Sequence, residues 1–156
     1  MKTAWILIGE SNTRKSSVAR LLTGIGRIET QVDLADAQGC RFRVRSLVSA
    51  AQEARLQPAA LLEEVNGTTH WDGKFGSIRN AVVLLRYDVD NNCPDGEAYV
   101  TAFLNDGWQI ACIVSLGEVA RDWVRGSGLR SIEIPDSPCL ASNEVANIIR
   151  KAWAWQ

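Results

Sequence analysis

An apolar run, Trp5–Ile8, ends at Gly9 and gives way to eight polar residues, Glu10–Ser17, before apolar positions resume at helical spacing over Val18–Leu22. That order predicts a buried strand, a turn and a helix. Ile28–Leu34 and Cys40–Val48 flank the turn-rich Ala35–Gly39. In the second of these runs Phe42 and Val44 alternate with Arg41, Arg43 and Arg45, the period-two pattern of a strand with one wet face. Together they predict an antiparallel hairpin with a longer loop. Ser49–Val65 is helical in composition, with Pro58 breaking or restarting the helix, and a polar loop carrying Gly67, Gly73 and Gly76 follows.

Further along, the pattern becomes regular. Ala81–Tyr87, Trp108–Ser115 and Ser131–Ile134 read as strands, and Gly96–Leu104, Glu118–Val124 and Ser142–Trp153 as the helices between and after them. Strands alternating with helices predict a largely parallel sheet covered on both faces. In the last helix Val145, Ile148, Ile149, Ala152 and Trp153 form one apolar stripe behind Ser142, a plausible N-cap. Trp155 falls off that stripe and reads as an exposed contact.

Composition narrows the function classes. The chain has 156 residues, 46% apolar and 22% charged, which suits one soluble domain over 1–156 with a core that needs no disulfides. Seventeen basic and eighteen acidic residues give a net charge of −1, so there is no bulk field for polyanions and direct nucleic-acid binding is disfavoured. The longest apolar runs, Ala4–Ile8 and Ala81–Leu85, fall far short of the ~20 residues of a membrane span. Four cysteines without a CxxC pair, a lone His70 and no secretory signal point to reduced thiols in a cytoplasmic protein.

Chemistry concentrates in Gly9–Ser17. The segment has the frame GxxxxGK[ST], with Arg14 where the second glycine belongs. Gly9 lets the chain turn off the strand, and the backbone amides of Glu10, Ser11, Asn12, Thr13 and Arg14 then face a phosphate chain. The helix opening at Lys15–Ser16–Ser17 adds its positive end, Lys15 reaches the terminal phosphates, and the Ser16 hydroxyl holds Mg²⁺. Arg14 and Lys15 at that helix end are each unfavourable by roughly 0.3–1 kcal/mol, and a bound anion reverses the sign. The plainer alternative is a connection capped by Ser11, Asn12 or Thr13 with two solvated basic residues. Arg14 either adds a phosphate contact or crowds the γ-phosphate. The contact is favoured, because an unpaired guanidinium has little reason to sit there without an anion.

GESNTRKSSVARLLTG resembles the first guanine-nucleotide motif of the translation-factor and Ras-like GTPases, GxxNxGKSSLxxxLxG, matching at Gly9, Asn12, Lys15, Ser16, Ser17, Leu22 and Gly24. The resemblance implies a three-layer α/β P-loop NTPase fold of Ras-like topology, mostly parallel with one antiparallel hairpin strand. It also implies ATP or GTP with Mg²⁺ and a protein partner. The later motifs depart from the family. Val48 and Ala51 stand where DxxG has its Asp and Gly, while Gln52 lines up with the water-orienting Gln that follows. The base-reading NKxD becomes Ser115–Leu116–Gly117–Glu118, with Glu118 as the one substitute for the base-binding Asp.

The leading expectation is a divergent GTPase-like switch or weak NTPase, with Lys15 and Gln52 catalytic. Two alternatives come from other classes. Val82–Asp88 resembles a Walker B strand, with Asp88 as a second magnesium ligand, which suggests an ATP-dependent small-molecule or nucleotide kinase with Asn66–Gly76 as its lid. Loss of the later motifs suggests a non-catalytic interaction domain. Asp33 and Asp36 face the nucleotide or are turn residues, and His70–Trp71–Asp72 is a catalytic pair or plain surface.

Overall fold

A computed structural model describes residues 1–25, 30–71 and 74–156. In chain order the elements begin β1 (Lys2–Gly9), α1 (Lys15–Thr23), β2 (Gln31–Ala35), β3 (Arg41–Ser46), α2 (Pro58–Val65), β4 (Thr68–Trp71) and β5 (Lys74–Ser77). They continue β6 (Asn80–Arg86), α3 (Gly96–Asn105), β7 (Trp108–Leu116), α4 (Arg121–Gly126), β8 (Ser131–Ile134) and α5 (Ser142–Trp153), with a short 3-10 turn at Ser137–Cys139.

Six strands form one sheet in the order β2-β3-β6-β1-β7-β8, parallel except for β2 against β3. The central strands are apolar without interruption because both of their faces are covered. Successive side chains point to opposite faces. Ile6, Ile8, Val83 and Leu85 meet Leu61 of α2, Tyr99 and Phe103 of α3 and Val124 of α4. Leu7, Val82, Leu84 and Val114 meet Val18 and Leu22 of α1 and Val145, Ile149 and Trp153 of α5. The result is an α/β sheet with helices on both sides.

Register brings three strand ends together, with Gly9 paired to Arg86 of β6 and to Leu116 of β7. The start of α3 presses on the same corner. A Cβ on Gly96 would lie 2.5 Å from Ile8 Cδ1 and 2.7 Å from the Arg86 carbonyl, so only glycine fits. Asp95 caps this helix by accepting the Ala98 amide at 3.1 Å.

Several expectations are corrected. The helix read over Ser49–Val65 exists only as Pro58–Val65, with Pro58 in its first turn. Residues 50–56 instead form turns tied to β6, the Ala51 amide donating to the Leu84 carbonyl at 2.9 Å. The polar loop after α2 contains the two-stranded β4–β5 hairpin. Helix α4 starts later than Glu118, at Arg121. Ala141, not Ser142, is the N-cap of α5, and Glu144 accepts the Ala141 amide at 2.8 Å. Ile148 lies on the wet side of that helix. Ile28 lies outside the described residues.

Trp155 is buried rather than exposed. Ala154 adopts a left-handed conformation (φ 56°) that turns the chain back after α5. Trp155 then bridges to Asp36, and the Gln156 amide donates to the Ala35 carbonyl at 3.0 Å. Its ring packs 5.1 Å from Trp5, 5.7 Å from Phe42 and 4.8 Å from Trp153, centre to centre. This aromatic clasp ties α5 to the β2–β3 hairpin.

A candidate anion-binding loop

The loop leaves β1 at Gly9, where no side chain fits: a Cβ would lie 2.5 Å from the Leu116 carbonyl and 3.0 Å from Thr13 Oγ1. Asn12 (φ 62°) and Arg14 (φ 61°) are both left-handed. Asparagine tolerates that conformation, whereas an arginine there costs roughly 1–2 kcal/mol. The motif's glycine position thus keeps the backbone shape that favours glycine while carrying a long cation.

Lys15 folds back over this turn and is only 5% exposed. Its ammonium donates to the carbonyls of Gly9 at 3.3 Å and Glu10 at 2.5 Å and to Thr13 Oγ1 at 3.2 Å. Thr13 in turn donates to the Glu10 carbonyl at 2.9 Å. Burial is the main influence pulling the Lys15 pKa down to about 8. The Glu53 and Glu10 carboxylates oppose that pull, and the Arg86 guanidinium adds to it. Helix α1 begins without a side-chain cap and without an acidic residue in its first turn. Its first amides therefore present an uncompensated positive end. No Ser11, Asn12 or Thr13 side chain caps the helix and Lys15 is buried, so of the plainer alternative only the exposed Arg14 remains.

Arg14 departs from expectation. It is paired without any anion, donating to the Leu140 carbonyl and to the Pro138 carbonyl, each at 2.6 Å. Ser137, the first residue of that turn, is buried with its hydroxyl unpartnered among the described residues. Ser11 and Asn12 are exposed, as is Ser17 on the first turn of α1. The half-buried Ser16 hydroxyl has no partner among the described residues.

Gln52 is displaced from its expected role. Fully buried, its side-chain amide donates to the carbonyls of Arg86 at 2.8 Å and Pro94 at 3.2 Å and accepts the Arg86 amide at 3.0 Å. Asn91 donates to its backbone carbonyl at 3.0 Å. With that amide fully engaged and no exposed surface, Gln52 ties the turn to β6. The Ala51 amide, where the family contacts a γ-phosphate, is likewise bonded into the sheet.

Other candidates separate clearly. Asp88 is exposed in the turn after β6 and has no partner among the described residues, whereas Asp90 binds Arg86 at 2.7 Å. Ser16 and Asp88 are hard oxygen donors at the same end of the sheet, the chemistry Mg²⁺ takes. Glu118 is exposed, 3.9 Å from Arg121. Asp33 is held by Arg43 through two bonds of 2.8 and 3.0 Å, and that hydrogen bonding keeps its carboxyl below its usual pKa. Asp36 Oδ1 accepts the amides of Gln38 and Cys40, a turn-forming role. His70 lies on β4, and its suggested partner Asp72 is outside the described residues. Glu53 and Arg86, which act on Lys15 together with Glu10, carried no signal in the sequence.

Cys93 and Cys112 are buried free thiols, and Cys40 and Cys139 exposed ones. No helix among the described residues is long and apolar enough to cross a membrane. Comparison with known proteins finds no matching family model, no matching curated relative and no matching solved structure.

Proposed function

We propose that Gly9–Ser17 is a phosphate-binding loop that takes the phosphate chain of ATP or GTP with Mg²⁺, and that the protein is a P-loop nucleotide-binding protein with weak turnover. The observation that carries this is the buried Lys15 ammonium, bent across a turn with two left-handed residues beside an uncompensated helix end. Each part favours an anion, and they meet in one place. Ser16 and Asp88 would hold the metal, and the ion would screen the charge of the phosphates.

Weak turnover follows from the sealed Gln52 and from Val48 and Ala51, which offer neither a carboxylate for the metal nor a free amide for the γ-phosphate. The same features favour a second reading, an interaction domain that binds nucleotide without hydrolysing it. Thermal denaturation with ATP, GTP and their diphosphates, each with and without Mg²⁺, tests binding. At a hundredfold excess over Kd a ligand adds about 2.7 kcal/mol, which raises Tm by about 5–10 °C at this size. No shift with any of them defeats the proposal. Phosphate release over many turnovers then separates the slow enzyme from the non-hydrolysing domain.

A further inference from the structure

We propose that Arg14 is a selectivity latch: a bare phosphate chain enters the loop past it, whereas a nucleotide binds only by breaking it and therefore more weakly. This rests on the phosphate-loop proposal and specifies which ligands that loop prefers.

Ligands of open α/β sheets lie outside the carboxyl ends of the strands, in the crevice where the strand order reverses direction. Here the chain goes from β1 to β2, β3 and β6 on one side and then crosses to β7 and β8 on the other. The crevice therefore opens between the loop after β1 and the segments after β7 and β8. A phosphate chain seated beside Lys15 carries anything attached to it along that crevice, and two side chains of the loop cross it. Arg14 reaches the turn after β8, with 2.6 Å bonds to the Pro138 and Leu140 carbonyls. Glu10 reaches toward the end of β7, its Oε1 3.9 Å from where a Cβ on Gly117 would stand.

The latch is a committed contact. Arg14 holds a conformation that disfavours its side chain, and its charge sits at the positive end of α1. Two charge-assisted bonds offset both costs. Ser137, in the turn so held, keeps a buried hydroxyl without a partner among the described residues. A compact phosphate chain leaves these bonds intact, whereas a ribose and base in the crevice must break them.

Calorimetric titration with tripolyphosphate, ATP and GTP, each with Mg²⁺, on the unmodified chain and on Arg14→Gly and Arg14→Asn tests this. Glycine and asparagine both adopt the left-handed backbone, so the loop shape survives. The unmodified chain should bind tripolyphosphate at least about tenfold more tightly than either nucleotide. Both variants should narrow that gap by a similar factor, through gain in nucleotide affinity. Nucleotides that match tripolyphosphate on the unmodified chain, or a gap unchanged in the variants, overturn the latch while leaving the phosphate loop standing. Absence of binding by all three ligands to every chain removes the phosphate loop, and the latch with it.

Discussion

Alanine at position 15 should cost the loop nearly all its affinity for triphosphate, about a hundredfold to a thousandfold in Kd. The Lys15 ammonium is the buried charge at the turn, and its present acceptors are the Gly9 and Glu10 carbonyls and the Thr13 hydroxyl. Phosphate oxygens are stronger acceptors for the same donors. The variant is read against its own ligand-free Tm, because losing those three bonds also shifts the baseline.

A pH dependence accompanies this loss. The folded chain releases the Lys15 proton near pH 8, below the ordinary 10.5. The unfolded chain therefore binds more protons between those values, and the stability contributed by this residue rises as the pH climbs from about 8 toward 10.5. Binding runs the other way, since a phosphate chain needs the charged form. Triphosphate affinity should be full below pH 8 and weaken above it, by up to about one order of magnitude per pH unit. Lys15→Ala should abolish that slope, and a slope that persists in the variant assigns the titration to another group.

Gln52→Ala should destabilise the protein by about 2–4 kcal/mol, measured by denaturant unfolding. The substitution leaves the Arg86 amide and two half-buried carbonyls without partners and opens a cavity where the fully buried Gln52 side chain stood. Gln52→Glu should be comparably damaging despite its matching shape, because a carboxylate donates nothing to the Arg86 and Pro94 carbonyls and buries a charge. Phosphate release per folded molecule should not change. A residue that positioned an attacking water would behave in the opposite way, with normal stability and lost turnover.

Legibility in the sequence followed the range of the forces involved. The order strand–turn–helix around Gly9, Lys15 and Ser16 is signalled by neighbours along the chain, although the turn's final shape also needs β7, and strands buried on both faces announce themselves as unbroken apolar runs such as Ala81–Leu85. Residues 50–56 misled because their alanine-rich composition favours a helix, while bonds to β6, 33 residues on at Ala51 and Leu84, fix them as turns. Trp155 misled because a helical stripe says nothing about a left-handed residue placed just after the helix. The pairing of Arg14 with carbonyls 124 and 126 residues away had no local signature at all. Nor did the short β4–β5 hairpin, whose strands are four residues each.

The position of β1 in the sheet also sets a timetable. Its partners are far downstream: Thr3 pairs with Asn80 on one side and with Gln109 on the other. Pairings of such long sequence separation form slowly, after the loop-closure entropy between them has been overcome. During synthesis the apolar Trp5–Ile8 segment must wait, with both edges unpaired, until β6 has emerged, and its second edge stays open until β7 follows. The turn that crowds Gly9 against the Leu116 carbonyl therefore takes its final shape late, although it is made long before β7. Phosphate binding at the proposed loop would thus require that the whole central sheet has closed, and a chain truncated before β7 lacks the Leu116 carbonyl against which Gly9 packs.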